Sequence, residues 1–136
     1  MNTPTPFHQL AVRVYYEDTD FSGRVYHASY LRFMERGRTE WLRALGYEHG
    51  ALAGEQHIVF AVRRLEIDYL APAAIDDLLR VETRVAAVRG AAIEFVQMVT
   101  RCDKTLAAAK ILVAALRDGR PMRIPPELRA LLETAG

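Results

Sequence analysis

The chain has 136 residues, 51% of them hydrophobic, and a formal net charge of +1 from 18 basic and 17 acidic side chains. That length sets a single domain, 1–136, with enough apolar residues for a real core. The balanced charge argues against nucleic acid or an anionic membrane as the main partner. One cysteine, Cys102, excludes an intrachain disulfide and a Cys-rich zinc site, and fits a reducing compartment.

Residues 1–7 hold two prolines and no basic residue before an apolar run, which is not the pattern of a signal peptide. The most apolar window, 106–116, is broken by Lys110 and is too short to span a bilayer. A soluble cytoplasmic protein with no integral membrane segment is expected.

In chain order, Leu10, Val12, Val14 and Tyr16 alternate with Ala11, Arg13 and Tyr15, the period of a strand. An acidic loop, 17–26, follows. The spacing then predicts a helix over 28–44, with Tyr30, Met34, Gly37, Trp41 and Ala44 or Leu45 on one face. Gly37 is costly inside a helix, so close approach to a packed sheet is its expected reason. Gly46 is a helix stop, and 46–56, with His49, reads as a polar loop holding one helical turn.

From His57 the pattern turns to strands. Residues 57–68 read as one strand, and 70–77 as a connection, because Pro72 has no place in a central ladder. Leu79, Val81, Thr83 and Val85 alternate with charged residues. Gly90 marks a turn, Ile93, Phe95, Gln97 and Val99 alternate again, and Asp103-Lys104 is a second turn. In 105–117 the alanines favour helix while Ile111 and Val113 favour strand; a strand is expected because it completes a sheet of hairpins. Pro125-Pro126-Glu127 opens a short terminal helix carrying Leu128, Leu131 and Leu132. Strand, long helix, then four strands is an α+β order. A five-stranded antiparallel sheet must wrap its face around the single long helix. That is the hotdog arrangement.

Residues 14–30 carry the chemistry. Asp20 stands a few residues before the start of the helix, where amides without intrahelical partners can hold a developing negative charge. The carboxylate can attack or activate water, a pairing suited to hydrolysis of an activated acyl group. Glu17, Asp18 and Asp20 crowd three carboxylates, which is expected to raise the proton affinity of one; a solvated turn in which Asp18 or Asp20 caps amides accounts for the same residues. His27 opens the helix and offers its amide and its imidazole.

Other readings fail on residue identity. Asp18, Asp20, Ser22 and Gly23 match the opening of a calcium loop, but its twelfth position is Ser29 instead of Glu, and a strand precedes it. The two serines, Ser22 and Ser29, form no G-x-S-x-G elbow. Cys102, in a strand pattern with no nearby His, reads as a packing residue. His8, His27, His49 and His57 show no metal-ligand spacing. Glu35, Glu40, Arg32, Arg36 and Arg38 read as a charged helix face, with Glu35 a candidate for a subunit interface. Arg63, Arg64, Arg101, Arg117 and Arg120 read as surface charge. Arg89 beside Gly90 can meet a phosphate through two parallel hydrogen bonds.

The run Tyr15-Tyr16-Glu17-Asp18-Thr19-Asp20, with Gly23, Val25-Tyr26-His27-Ala28-Ser29-Tyr30 and 33–40, resembles the Tol-Pal-associated acyl-CoA thioesterases (YbgC-like) of the 4-hydroxybenzoyl-CoA thioesterase class. A second block agrees: Ile67-Asp68-Tyr69, Pro72-Ala73, 76–79 and Val81-Glu82-Thr83. The resemblance implies a hotdog fold, Asp20 as the family's catalytic aspartate, and the His27 amide as the group holding the thioester carbonyl. It implies CoA phosphates near Arg89. Benzoyl-specific members carry an aromatic residue where this chain has His27, which implies an aliphatic acyl group. Phe21-Ser22, where relatives have smaller residues, implies a narrower pocket mouth.

The expected activity is therefore hydrolysis of an acyl-CoA, with no metal or redox cofactor. Acyl carrier protein is a possible second substrate carrier, a homodimer or homotetramer is expected, and the location is cytoplasmic or peripheral to the inner membrane. Two alternatives stand beside it. One is a noncatalytic acyl-carrier-binding or scaffold module of the cell-envelope machinery. The other is a dehydratase or hydratase, for which His57 with Glu35 is the candidate pair.

Overall fold

The computed structural model describes residues 7–48, 50, 54 and 56–134. His49 and most of the expected turn between the helix and the second strand lie outside them. Its elements are β1 (Phe7–Arg13), a 3-10 turn (Tyr16–Asp18), α1 (His27–Ala44), β2 (Ile58–Tyr69), β3 (Leu78–Arg89), β4 (Ala92–Arg101), β5 (Lys104–Arg117), β6 (Arg120–Pro121) and α2 (Pro126–Thr134). The sheet runs β1-β3-β4-β5-β2, every pair antiparallel, with the two-residue β6 added beside β5. This is the hotdog arrangement, with one small strand beyond the five expected.

Helix α1 buries Tyr30, Phe33, Met34, Gly37, Trp41 and Leu42 against the sheet. Gly37 marks the point of closest approach: a Cβ there would stand 2.8 Å from Val81 Cγ1 and 2.9 Å from Thr83 Oγ1. Beside it lies the fully buried Gln97, which donates to the Met34 carbonyl and to Thr83 Oγ1, both at 2.8 Å, and accepts from Arg38 at 2.8 Å. Arg38 is thus turned inward and does not belong to the solvated helix face. Leu45, just past the helix, packs on the core, whereas Ala44 is exposed.

Residues 105–117 are strand, with Ala107, Ala109, Ile111, Val113 and Ala115 in the core. Their register partners in β2 are Tyr69, Ile67, Leu65, Val62 and Phe60. The side of β2 that continues the core face of β5 is therefore an apolar stripe with a bulge after Val62, yet Val62, Leu65 and Tyr69 remain exposed on this edge strand.

Two expectations are corrected. The first strand ends at Arg13, not at Tyr16. The Asp18 carboxylate accepts the Tyr15 amide at 2.8 Å and the chain turns, leaving Tyr16 exposed. Cys102 is not a packing residue. It sits exposed in the two-residue β4–β5 hairpin at φ 52°, the left-handed geometry such a turn demands.

Candidate active site

Asp20 and His27 are brought together by a small hairpin. Thr19 bridges Val25, the Asp20 amide donates to the Arg24 carbonyl at 2.8 Å, and the Gly23 amide closes the turn onto the Asp20 carbonyl at 3.1 Å. Gly23 has φ 81°, which a side chain tolerates poorly. The hairpin leans on the segment before β3: Val25 donates to the Ala73 carbonyl at 2.8 Å and Ile75 to the Gly23 carbonyl at 3.2 Å. That segment is held in turn by Asp77, whose carboxylate accepts the Ala74 amide at 2.9 Å and Arg101 of β4 at 2.6 Å. Arg101, read from sequence as surface charge, is a half-buried support of the site loop.

The Asp20 carboxylate is oriented from one side. Its Oδ1 accepts the Ser22 hydroxyl at 2.5 Å and the Ser22 amide at 2.8 Å, and the Arg24 amide is a further, weaker donor to the carboxylate. The Ser22 hydroxyl, then its amide, hold the carboxyl below the usual aspartate range. The expectation of a raised proton affinity is corrected for Asp20. Hydrogen bonds to the charged form from Ser22 and Arg24, with the Arg24 charge, outweigh the cost of partial desolvation.

His27 is the first residue of α1, so its amide has no intrahelical acceptor. The Tyr26 carbonyl takes the Ser29 amide at 2.9 Å, and the His27 ring lies against Tyr26, tilted by 43° with centroids 4.3 Å apart. Asp20, Arg24, His27, Tyr30, Tyr69 and Leu70 line one cleft of about 370 Å³. Tyr69 and Tyr30 were not singled out as site residues by the sequence reading. Their signal was available in the Ile67-Asp68-Tyr69 block and the helix face, but nothing local says that β2 ends over the helix start.

Arg89 does not join this cleft. It is exposed, 3.9 Å from Glu94, and lines a separate cleft of about 300 Å³ with Arg64, Glu66 and Lys110. It closes the 12-residue β3, whose first residue follows Asp77, so it stands about 35 Å along the strand from the site loop. His57 and Glu35 are not brought together either. His57 is exposed and lies 3.6 Å from Asp118, whereas Glu35 lines a groove with Arg38, Leu42, Phe60 and Phe95. Among the described residues no group of three His, Cys, Asp or Glu side chains is placed to hold a metal ion, and no helix is long and apolar enough to cross a membrane.

An antiparallel sheet wrapped on one long helix, with a carboxylate-bearing loop leading to the helix N-terminus, defines a hotdog domain. The chain belongs to the Thioesterase-like superfamily, whose sequence profile matches residues 14–132. It is a thioester hydrolase. It is 49% identical over 121 residues to "Acyl-CoA thioesterase YbgC" of Haemophilus influenzae, covering 88% of this chain and 89% of that protein. Among solved structures, a probable thioesterase from Bartonella henselae superposes with a TM-score of 0.84 at 42% identity, covering 88% of this chain and 99% of that one. A Thermus thermophilus thioesterase, solved in complex with coenzyme A and Zn, superposes with a TM-score of 0.80 at 27% identity, covering 92% and 90%.

Proposed function

We propose that this protein, one domain over 1–136, hydrolyses aliphatic acyl-CoA thioesters to the free acid and CoA. The observation that carries the reading is the cleft shared by Asp20 and His27, the first residue of α1. In it the thioester carbonyl oxygen sits on the His27 N–H, aided by the partial positive charge of the helix N-terminus. Asp20 Oδ2 adds to the carbonyl carbon, the C–S bond breaks and the thiolate leaves. Water then opens the mixed anhydride, releasing the acid and restoring the carboxylate. Direct activation of water by Asp20 is the other route. In both routes the reactive form is the carboxylate, which the Ser22 hydrogen bonds favour. A thiolate needs no acid to leave, which suits a site with so few groups.

The aliphatic assignment is supported by the apolar stripe of β2, which starts at Tyr69 in the cleft and continues through Ile67, Leu65, Val62 and Phe60. The proposal of a homodimer is supported by the same strand, whose edge exposes Val59, Val62 and Leu65. Two-fold pairing of β2 with a second copy lays the Ile58 end of one strand beside the Tyr69 end of the other. Arg89 of one copy, near that Ile58 end through β5, then serves the CoA phosphates of the other copy's site. The outer sheet face carries Val96, Met98 and Ala108 beside Glu66 and Lys110, a surface for pairing dimers into a tetramer. The likeness to the CoA-bound Thermus thioesterase and to YbgC supports acyl-CoA as the substrate, with acyl carrier protein as a second carrier to test. The motif resemblance carries the proposal of a cytoplasmic place, peripheral to the inner membrane beside the Tol-Pal machinery.

The test is steady-state thiol release from a panel of short, long and aromatic acyl-CoAs by wild type and Asp20→Asn. Wild type is expected to turn over aliphatic substrates and the variant to lose at least about a hundredfold in kcat. Equal, near-zero rates in both would return the protein to a noncatalytic acyl-carrier or scaffold role.

A further inference from the structure

Tyr69, the last residue of β2, has no part in the mechanism above, yet it touches the helix start directly. Its hydroxyl donates to the His27 carbonyl oxygen at 2.8 Å. Its ring stands edge-on to those of His27, 6.3 Å between centroids, and Tyr30, 5.5 Å. Burial holds its phenol above the ordinary value, so it keeps its proton at neutral pH and can only donate here. Tyr30 is anchored as well, its hydroxyl accepting the Ala73 amide at 3.2 Å.

The His27 carbonyl belongs to the same peptide unit as the Ala28 N–H. Of the first three amides of α1, that of Ser29 is already taken by the Tyr26 carbonyl. Those of His27 and Ala28 remain without intrahelical acceptors. A donor on a peptide carbonyl draws electron density from its nitrogen and strengthens the N–H on the other side, as hydrogen bonds in a chain polarise one another. The same bond ties the first helical turn to the end of β2, against rotation of the peptide.

We propose that Tyr69 is a positioning residue for thioester cleavage: its hydroxyl fixes and polarises the His27–Ala28 peptide, so that the Ala28 amide joins the His27 amide as a second donor to the oxyanion. This rests on the reading of Asp20 and His27 as the reacting site.

The experiment compares wild type, Tyr69→Phe and Asp20→Asn side by side. Tyr69→Phe keeps the ring and both edge contacts and removes only the hydroxyl. Its kcat is expected to fall about tenfold, less than the loss of an oxyanion donor itself, with KM within about twofold of wild type. Amide hydrogen exchange of peptides covering residues 26–31 is expected to quicken in the same variant, a readout that needs no turnover. A purely structural tyrosine would lower the melting temperature and leave kcat per folded molecule unchanged. Wild-type kcat in Tyr69→Phe, with or without faster exchange, overturns the inference while Asp20→Asn still tests the site. Full activity in Asp20→Asn overturns the site reading instead.

Discussion

Replacing Gly37 by alanine is expected to destabilise the protein although it improves the helix. In an unconstrained helix the change favours folding by about 1 kcal/mol. Here the new Cβ would meet Val81 Cγ1 at 2.8 Å, Thr83 Oγ1 at 2.9 Å and Gln97 Nε2 at 3.2 Å. None of these is a loose end. Val81 and Thr83 are β-branched and fully buried, and Gln97 is held by three hydrogen bonds. Relief requires α1 to lift from the sheet. Overpacking of this kind costs about 1–3 kcal/mol, and two such short contacts place it near about 3. The net loss is about 2 kcal/mol, or about 8 °C in Tm for a chain of this size. Urea unfolding followed by circular dichroism should show a lower midpoint with an unchanged slope. A Gly37→Ala protein as stable as wild type, or more so, would refute the argument that close approach of helix and sheet requires glycine there.

Ser22→Ala removes the leading cause of the lowered Asp20 pKa. The reactive form is the carboxylate, so activity falls as pH drops through the Asp20 pKa. The acid limb of kcat/KM should lie below the usual aspartate range in wild type and move to higher pH in the variant. Asp77→Ala removes the acceptor of the Ala74 amide and Arg101, and should cost about 1–2 kcal/mol at neutral pH. Those same two partners, the Ala74 amide first, lower the Asp77 pKa in the folded state. Its contribution is therefore complete above about pH 4, the unfolded value, and is lost as pH falls through the folded one; the difference between variant and wild type in urea should shrink in acid. Cys102, exposed in a hairpin remote in sequence from Asp20 and His27, should react fully with a thiol reagent while thioesterase activity is retained.

Most of the architecture was legible because side-chain periods are local. A period of two marks β3 and β4, and spacings of three and four mark the buried face of α1, with Gly37 where the helix meets the sheet. That Asp20 and His27 stand near one another was legible for a similar reason: seven positions of chain, one turn and one helix start carry both. Where local preference competed, in the alanine-rich β5, the hairpin order of the preceding strands gave the right answer. Tyr16 shows the limit. Its alternation continued past Arg13, but a side chain from Asp18 captured the backbone and ended the strand.

What the residue order alone could not convey is which distant segments become neighbours. Arg38 meets Gln97 across 59 positions, Tyr69 meets His27 across 42, and Arg101 meets Asp77 across 24. Each read as an ordinary charged or strand residue until the strand order set its partner. Arg89 is the converse: a basic turn residue that motif position linked to the site, and that the length of β3 carries away from the Asp20 loop of its own chain. Composition and periodicity specify the elements and the candidate groups. The sheet order and register specify how those groups are held, because hydrogen bonds reach only about 3 Å and only folding brings their partners within that range.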